Sequence, residues 1–202
     1  MTEARTALTR SPRPRLKLVA LALMVAGLLL PQPIFAQDAA SSAAPAAAAA
    51  DTAVAGMPAL PPDAPTAEQV TAGLAVWKDR GGCYNCHGDF AQGGTGGHFP
   101  AGPSLRKTHL DLETIRDTIS CGLPGTPMPY NLAGAYTAVS CYGNDLGPAP
   151  SGAVPGAGLK PEEITDLLAY LKADIIGKLR ITKAECVEYY GDPNAPNCAA
   201  YH

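Results

Sequence analysis

The stretch Cys83-Tyr84-Asn85-Cys86-His87 is the most diagnostic segment of this 202-residue chain. It has the form C-x-x-C-H, the pattern at which a c-type haem is covalently attached. Two thiols three positions apart can reach the two vinyl groups on one edge of a porphyrin, and the adjacent histidine can then bind the iron. The motif therefore predicts one covalent haem c, with Cys83 and Cys86 as attachment points and His87 as the proximal iron ligand.

Two other roles of a C-x-x-C pair have less support in this sequence. A zinc site would need two more ligands at finger-like spacing, and His98 is the only candidate shortly after the motif. A thioredoxin-like dithiol would need a βαβ context, and the flanking residues show no strand-like alternation. A haem is therefore the favoured interpretation, and a single one, because the chain has no second C-x-x-C-H.

The N-terminus carries the features of an export signal, which a haem attached outside the cytoplasm requires. Basic residues border an almost wholly apolar run from Leu16 to Leu30, and Ala36-Gln37 offers a cleavage point. The run is shorter than the roughly 20 residues of a membrane span. Residues 1–36 are therefore expected to be a signal peptide that directs the chain to the periplasm. An uncleaved segment that anchors the protein to the membrane is the alternative.

Composition divides the remaining chain into a linker and one domain. Residues 37–65 are rich in Ala and Pro, with almost no large apolar side chains, so we expect a flexible tether. Residues 66–202 are long enough for one core, with a C-terminal extension from about residue 178. Without residues 1–36 the chain has 10 basic and 17 acidic residues, a formal charge of −7. Such an acidic protein should prefer a partner with a basic docking patch, and nothing favours nucleic acid binding.

Three segments of this domain have helical patterns. Thr66-Ala67-Glu68-Gln69 is a capping box before an apolar stripe that ends at Gly81-Gly82. Asp111 is a candidate N-cap for a second helix that stops at Gly122, and Pro161 is typical of the first turn of a third. Long Gly- and Pro-rich connections are unusual unless something other than side chains supplies the core. The pattern therefore predicts an all-α fold, with helices and loops wrapped around one haem.

This arrangement resembles the class I, monohaem cytochrome c family of periplasmic bacterial type. The similarity covers roughly Thr66 to Ile176 and comprises a helix before C-x-x-C-H, a middle helix before a methionine loop, and a closing helix. In that family the first and last helices cross near a small residue and an aromatic one, which the resemblance matches to Gly73 and Tyr170. The resemblance implies the class I cytochrome c fold, here with an insertion and a C-terminal extension linked by disulfides.

The segment Pro127-Met128-Pro129 supplies the candidate sixth iron ligand. Prolines on both sides stiffen the backbone and remove N–H donors, and the family's axial methionine lies in such a loop. A thioether favours reduced iron, so His/Met ligation raises the potential. The alternative is a buried core methionine. His98 and His109 are rival ligands, although each is better explained as a solvent-facing or propionate-contacting histidine.

The segment Gly102-Pro103-Ser104-Leu105 matches the Gly-Pro-x-Leu loop of the same family. There the proline carbonyl accepts the second N–H of the proximal histidine, which fixes the ring and strengthens its donation to iron. The resemblance implies this role for Pro103 and implies that Leu105 lines the haem edge. Arg106 and Lys107 either compensate a haem propionate or form part of the solvated surface.

The four remaining cysteines are Cys121, Cys141, Cys186 and Cys198. An even number in an oxidising compartment predicts two disulfides. Three pairings are possible, and loop closure favours the local one, Cys121–Cys141 with Cys186–Cys198. The first bridge would clip the Met128 loop at its base, and the second would pin the C-terminal extension. Free thiols or a metal site are the alternative.

The expected function is a single-haem periplasmic electron carrier that cycles Fe(III)/Fe(II) by outer-sphere transfer. Two closed axial positions leave no place for a substrate, so no catalytic residues are assigned. The expected partners are periplasmic redox proteins, with a dehydrogenase as donor and a terminal oxidase or another cytochrome as acceptor. The extensions also suit a dedicated electron-accepting subunit of a periplasmic dehydrogenase, such as a quinoprotein. An open-site haem enzyme or ligand sensor is supported only by the Gly-rich loop around His98.

Overall fold

The structure, a computed structural model, describes residues 55–94 and 99–202. The predicted signal peptide, the predicted linker as far as residue 54, and His98 lie outside the described residues. No helix in the described part of the chain is long and apolar enough to cross a membrane.

Five α-helices and two short strands form the regular structure of these residues. The helices are α1 (Ala67–Ala75), α2 (Tyr84–His87), α3 (Leu112–Cys121), α4 (Pro161–Tyr170) and α5 (Lys183–Tyr190), and the strands are β1 (Tyr130–Leu132) and β2 (Pro155–Leu159). α1 and α4 each continue as a π-helical turn, Val76–Arg80 and Leu171–Ile175 respectively. A 3-10 turn, Pro196–Cys198, follows α5.

The three helices predicted from the sequence begin at the predicted caps. The Thr66 hydroxyl accepts a hydrogen bond from the Gln69 amide, and the Gln69 side chain accepts one from the Thr66 amide, so the capping box is formed. The Asp111 carboxylate accepts a hydrogen bond from the Thr114 amide at 2.7 Å. Pro161 occupies the first turn of α4. Local side chains therefore set the start of each helix.

α1 and α4 cross at very close range. A Cβ atom added to Gly73 would lie 2.0 Å from the Asp166 carbonyl oxygen and 2.7 Å from the Tyr170 Cβ. Only glycine allows two helix backbones to approach this closely. The contact of Gly73 with Tyr170 is the crossing that the family resemblance implied for these two residues.

The small sheet departs from the all-α expectation. β1 and β2 are parallel, with Leu132 paired to Leu159, and both side chains are buried in the core. The side-chain amide of Asn131 donates to the Ile119 carbonyl at 3.2 Å and so connects β1 to α3. A three-residue strand and a Gly-rich five-residue strand are too short to show strand periodicity in the sequence. The described fold is therefore mainly helical, with a small parallel sheet.

Residues 57–63, assigned to a flexible linker from the sequence, pack against the domain. Pro58 is fully buried, the Thr165 hydroxyl donates to the Ala59 carbonyl at 2.8 Å, and the Lys172 ammonium donates to the Pro62 carbonyl at 3.0 Å. Prolines lose little backbone entropy on ordering, so a few contacts are enough to fix such a segment. The folded domain therefore begins before the predicted start at residue 66.

The four cysteines outside the motif form two disulfides. Cys121 bonds to Cys141 and Cys186 bonds to Cys198, which is the pairing that loop closure favours. The first disulfide joins the end of α3 to the segment between β1 and β2, residues 133–154, which is called the insertion below. The second joins α5 to the 3-10 turn. Both constrain the unfolded chain and so stabilise the fold.

Candidate functional site

The C-x-x-C-H motif comprises the single helical turn α2 and its N-cap residue, Cys83. The His87 amide donates to the Cys83 carbonyl at 3.0 Å, and the Cys83 amide donates to the Trp77 carbonyl at 3.0 Å, which connects α2 to the end of the first helix. Residues three and four positions apart share one side of a helical turn. The backbone therefore brings Cys83, Cys86 and His87 to the same side of α2.

The two motif cysteines are free thiols, whereas the other four are paired. Both are partly buried, and burial raises the pKa of the Cys83 thiol to about 12. A reactive redox dithiol needs a lowered thiol pKa, because the thiolate is the attacking species. The environment of Cys83 thus differs from that of a thioredoxin-like dithiol.

The His87 imidazole is oriented by one hydrogen bond. Its Nδ1 lies 2.8 Å from the Pro103 carbonyl oxygen, and the residue is only 9% exposed. A carbonyl oxygen can only accept, so Nδ1 carries the proton and Nε2 is the ring nitrogen left to face a metal. This is the bond that the Gly-Pro-x-Leu loop implied. The chemistry of this donor set, two free thiols and an Nε2 lone pair, fits a covalently attached haem.

Gly102 lets the Pro103 loop approach the imidazole. Its amide donates to the Cys86 carbonyl at 2.7 Å. A Cβ atom added to Gly102 would lie 2.8 Å from His87 Nδ1 and 2.9 Å from the Cys86 carbonyl oxygen. No side chain fits in this space, so glycine is required for the Pro103 carbonyl to reach His87.

Trp77 packs beside His87 and was missed as a site residue. Its side chain is 1% exposed, and its ring centroid lies 6.2 Å from those of both His87 and Tyr170. The indole N–H donates to the Asp89 carbonyl at 3.0 Å. Trp77 is the only tryptophan in the chain and lies at the end of the predicted first helix, shortly before the motif. This position in the sequence could have indicated that its ring packs beside His87.

Leu105 and Met128 are both half-buried and pack against the core. The Leu105 amide donates to the Ala91 carbonyl at 3.0 Å, which keeps the Leu105 backbone beside the motif segment. The Met128 amide donates to the Thr126 hydroxyl at 3.2 Å, and its carbonyl accepts from the Leu123 amide at 3.1 Å. Both hydrogen bonds of the Met128 backbone therefore join residues of the same loop, and neither involves the His87 segment. The ligation of iron by Met128 therefore stays a prediction.

The insertion after β1 holds the Met128 loop from both sides. On one side, the Cys121–Cys141 disulfide lies at the base of the loop, and the buried Tyr136 hydroxyl donates to the Cys121 carbonyl at 2.7 Å. On the other, the Gly125 amide donates to the Gly152 carbonyl at 2.9 Å. The loop is thus fixed by the insertion as well as by its prolines.

Arg106 is buried and bonded entirely to protein groups. Its side chain is 2% exposed. The Nε donates to the Phe90 carbonyl at 2.5 Å, Nη1 donates to the Lys178 carbonyl at 2.6 Å, and Nη2 forms an ion pair with the Glu185 carboxylate. Burial lowers the Arg106 pKa, yet a guanidinium stays charged at neutral pH. Arg106 is therefore not part of the solvated surface, whereas a contact with a haem propionate, for Arg106 or for the exposed Lys107, stays a prediction.

The C-terminal extension covers the segment that follows His87. The Phe90 ring lies 5.1 Å from the Tyr189 ring and 5.6 Å from the Tyr201 ring, centroid to centroid. The Tyr190 hydroxyl donates to the Asp89 carboxylate at 2.6 Å. Aromatic pairs at this spacing stabilise a contact beyond simple burial. The extension therefore helps to hold the backbone segment that follows His87 in place.

Of the two rival iron ligands named from the sequence, His109 alone lies in the described residues. His109 is exposed in the segment before α3, in keeping with a solvent-facing histidine, and His98 lies outside the described residues. In the two described ranges, no group of three or more His, Cys, Asp or Glu residues is arranged to hold a metal ion.

Comparison with known proteins identified no match among family models, curated proteins or solved structures.

Proposed function

We propose that this protein is a single-haem c-type cytochrome that carries electrons between redox proteins of the periplasm. The observation that carries the proposal is the 2.8 Å hydrogen bond between His87 Nδ1 and the Pro103 carbonyl, next to two unpaired motif thiols. That bond leaves Nε2 free for iron and strengthens its donation. The motif thiols lie on the same helical turn, as covalent attachment at both vinyl groups requires.

The residues that would hold the haem have distinct roles. Cys83 and Cys86 would form the two thioether bonds, and His87 and Met128 would be the axial ligands. The bound haem supplies a one-electron Fe(III)/Fe(II) couple, whose potential His/Met ligation raises. Leu105 lies on the loop that orients His87 and is partly buried against the core, which suits a residue that keeps water from the haem edge.

The chain's own residues suit outer-sphere electron transfer. Pro103 and Trp77 fix the His87 ring, and the insertion fixes the Met128 loop. Preorganised groups need little rearrangement when the charge at a site changes. A rigid pair of axial ligands therefore favours a carrier over an open-site enzyme or ligand sensor. The formal charge of −7 after removal of residues 1–36 favours partners with a basic docking patch.

The surface beside the Met128 loop supports a second candidate, a dedicated subunit of a periplasmic dehydrogenase. Leu123, Tyr142 and Val154 are large apolar residues that are 43–50% exposed. The Tyr142 hydroxyl donates to the Gly122 carbonyl, and the Tyr130 amide donates to the Val154 carbonyl at 2.9 Å, so these side chains lie around one loop. Residues 122–159 contain a single charged residue, Asp145. An uncharged apolar surface of this kind is typical of a lasting protein contact.

The proposal is tested by absorption spectra of the protein produced with a periplasmic haem-maturation system. We expect one covalently bound haem, and a far-red Met-to-Fe(III) charge-transfer band that is lost in Met128→Ala. Met57→Ala is the matched control, because Met57 is also half-buried against the core and lies far from the motif in sequence. It should keep the band. A wild-type protein without covalent haem would refute the proposal.

Two further measurements separate the alternatives. Rapid carbon monoxide binding by the reduced wild-type protein at neutral pH would favour an open-site sensor or enzyme, since a closed His/Met site has no free position. Co-purification of a dehydrogenase at fixed stoichiometry, lost when Leu123 and Val154 are both replaced by Ser, would favour the dedicated subunit. A carrier with transient partners should purify alone.

A further inference from the structure

We propose that Arg106 is a positioning residue for His87: its buried guanidinium couples the His87–Pro103 hydrogen bond to the C-terminal extension and so tunes the potential of the bound haem. This inference rests on the proposed cytochrome function. It assigns a functional role to the extension, which lies beyond the part of the chain that resembles the cytochrome family.

Arg106 joins the two backbone segments on either side of the His87–Pro103 bond. Phe90 follows His87 by three residues, and Arg106 follows Pro103 by three. The 2.5 Å hydrogen bond from Arg106 Nε to the Phe90 carbonyl therefore closes a small ring of contacts around the imidazole. The backbone bond from the Leu105 amide to the Ala91 carbonyl closes the same ring one residue away. A shift of Phe90 relative to Arg106 would change the distance from Nδ1 to the Pro103 carbonyl.

The other edge of the guanidinium is held by the extension. Nη1 donates to the Lys178 carbonyl, and Nη2 pairs with Glu185 in the first turn of α5. The Arg106 carbonyl also accepts from the Gly177 amide at 3.1 Å. Glu185 is adjacent to Cys186, which is bonded to Cys198. The position of the guanidinium is thus fixed by a disulfide-braced element and not only by its own loop.

Only an arginine can serve all of these partners. The guanidinium is a rigid planar fork with donors in several directions, whereas a lysine ammonium is a point charge on a flexible stem. Lysine at position 106 would keep the positive charge and lose the simultaneous bonds to Phe90 and Glu185. The substitution Arg106→Lys therefore separates positioning from charge.

The expected result concerns both the potential and the His87 ring. A looser Nδ1–Pro103 bond reduces electron donation by the imidazole, which disfavours Fe(III), so Arg106→Lys should raise the reduction potential. Solvent exchange of the His87 Nδ1 proton, followed by NMR on the holoprotein, should accelerate by about tenfold, as expected when one charge-assisted hydrogen bond is lost. Arg80→Lys is the control, because Arg80 forms an exposed ion pair with Glu163. It should change neither quantity.

The substitution Glu185→Gln separates the effect of charge on the potential from the effect of Arg106 on the position of His87. Glutamine can still accept a hydrogen bond from Arg106 but leaves the guanidinium without its counter-charge. The potential should rise, because an unpaired buried cation disfavours the more positive iron state, while Nδ1 exchange stays at the wild-type rate. If Arg106→Lys does not fold, the pair Cys186→Ser and Cys198→Ser replaces it, with the same two readouts and the same expected directions.

The outcomes distinguish this inference from the proposed function. An Arg106→Lys protein with covalent haem and an intact charge-transfer band, but with the potential and Nδ1 exchange of the Arg80→Lys control, would overturn the positioning role and leave the cytochrome proposal standing. A wild-type protein that takes up no haem would overturn both. Faster Nδ1 exchange in Arg106→Lys with a wild-type rate in Glu185→Gln would establish that the fork, and not the charge, positions His87.

Discussion

Replacement of Gly102 by alanine tests the geometry of the His87 site directly. Gly102 and Gly147 both lack a left-handed backbone conformation, so alanine at either position meets no backbone strain. At Gly147 the added Cβ would have no neighbour within 4 Å. At Gly102 it would lie 2.8 Å from His87 Nδ1 and 2.9 Å from the Cys86 carbonyl oxygen. The two variants therefore differ mainly in the space available to one methyl group.

The expected loss of stability follows from three contributions. Overpacking of a filled site costs about 1–3 kcal/mol, and loss of the 2.7 Å bond from the Gly102 amide to the Cys86 carbonyl adds about 1 kcal/mol. The lower chain entropy of unfolded alanine offsets about 0.4–1 kcal/mol of this cost. We therefore expect Gly102→Ala to lower the free energy of unfolding by about 1–3 kcal/mol. Gly147→Ala should leave it unchanged or raise it by up to about 1 kcal/mol.

Urea unfolding of the two holoproteins measures this difference. With a slope of about 2 kcal/mol per molar urea, the Gly102→Ala midpoint should fall by about 1 M relative to Gly147→Ala. Nδ1 exchange at His87 should also accelerate, because the methyl group separates the ring from the Pro103 carbonyl. Equal midpoints and equal exchange rates in the two variants would refute the idea that Gly102 is needed for the Pro103 carbonyl to reach His87.

Two other predictions concern the disulfide at the Met128 loop and the pH dependence of stability. Joint replacement of Cys121 and Cys141 by Ser removes a link across a sequence separation of 20 and should lower the free energy of unfolding by about 3 kcal/mol. The far-red band should then disappear at a lower urea concentration than that of global unfolding. Loss of the band only at the global unfolding transition would contradict a local role of this disulfide. Arg80 lowers the pKa of Glu163 below its usual 4.5, so this carboxylate stabilises the fold above about pH 4.5 and loses that contribution as the pH falls through its lower, folded-state pKa. The stability difference between wild type and Glu163→Gln, measured by thermal unfolding, should therefore shrink as the medium becomes acidic, and a difference that grows in acid would contradict this ion pair.

The features that follow from short-range patterns could be predicted from the sequence. The cap at Asp111 involves a residue only three positions away, and both disulfides join cysteines in nearby segments. The hydrogen bond of His87 to Pro103 spans 16 residues, but the resemblance of the Gly-Pro-x-Leu loop to that of the cytochrome c family implied it. Such features need no knowledge of the rest of the fold.

The features that depend on distant contacts could not be predicted. Arg106 and Glu185 are separated by 79 residues, and no local pattern shows that a cation beside a turn will be buried. The contact of Lys172 with Pro62 spans 110 residues, so composition alone assigned the proline-rich segment to a linker. In both cases tertiary packing overrode what the surrounding composition favoured.

The packing of Phe90 and Asp89 against the C-terminal extension also sets an order of assembly. The partners of Asp89 on the extension, Tyr189 and Tyr190, are 100 and 101 residues further along the chain. Contacts of such long sequence separation form late in folding, so the extension packs on the segment that follows His87 after the local helices have formed. Under the proposed function, Cys83 and Cys86 would take up the haem before this packing is complete. The extension would then act as a clasp on a site that already holds its haem.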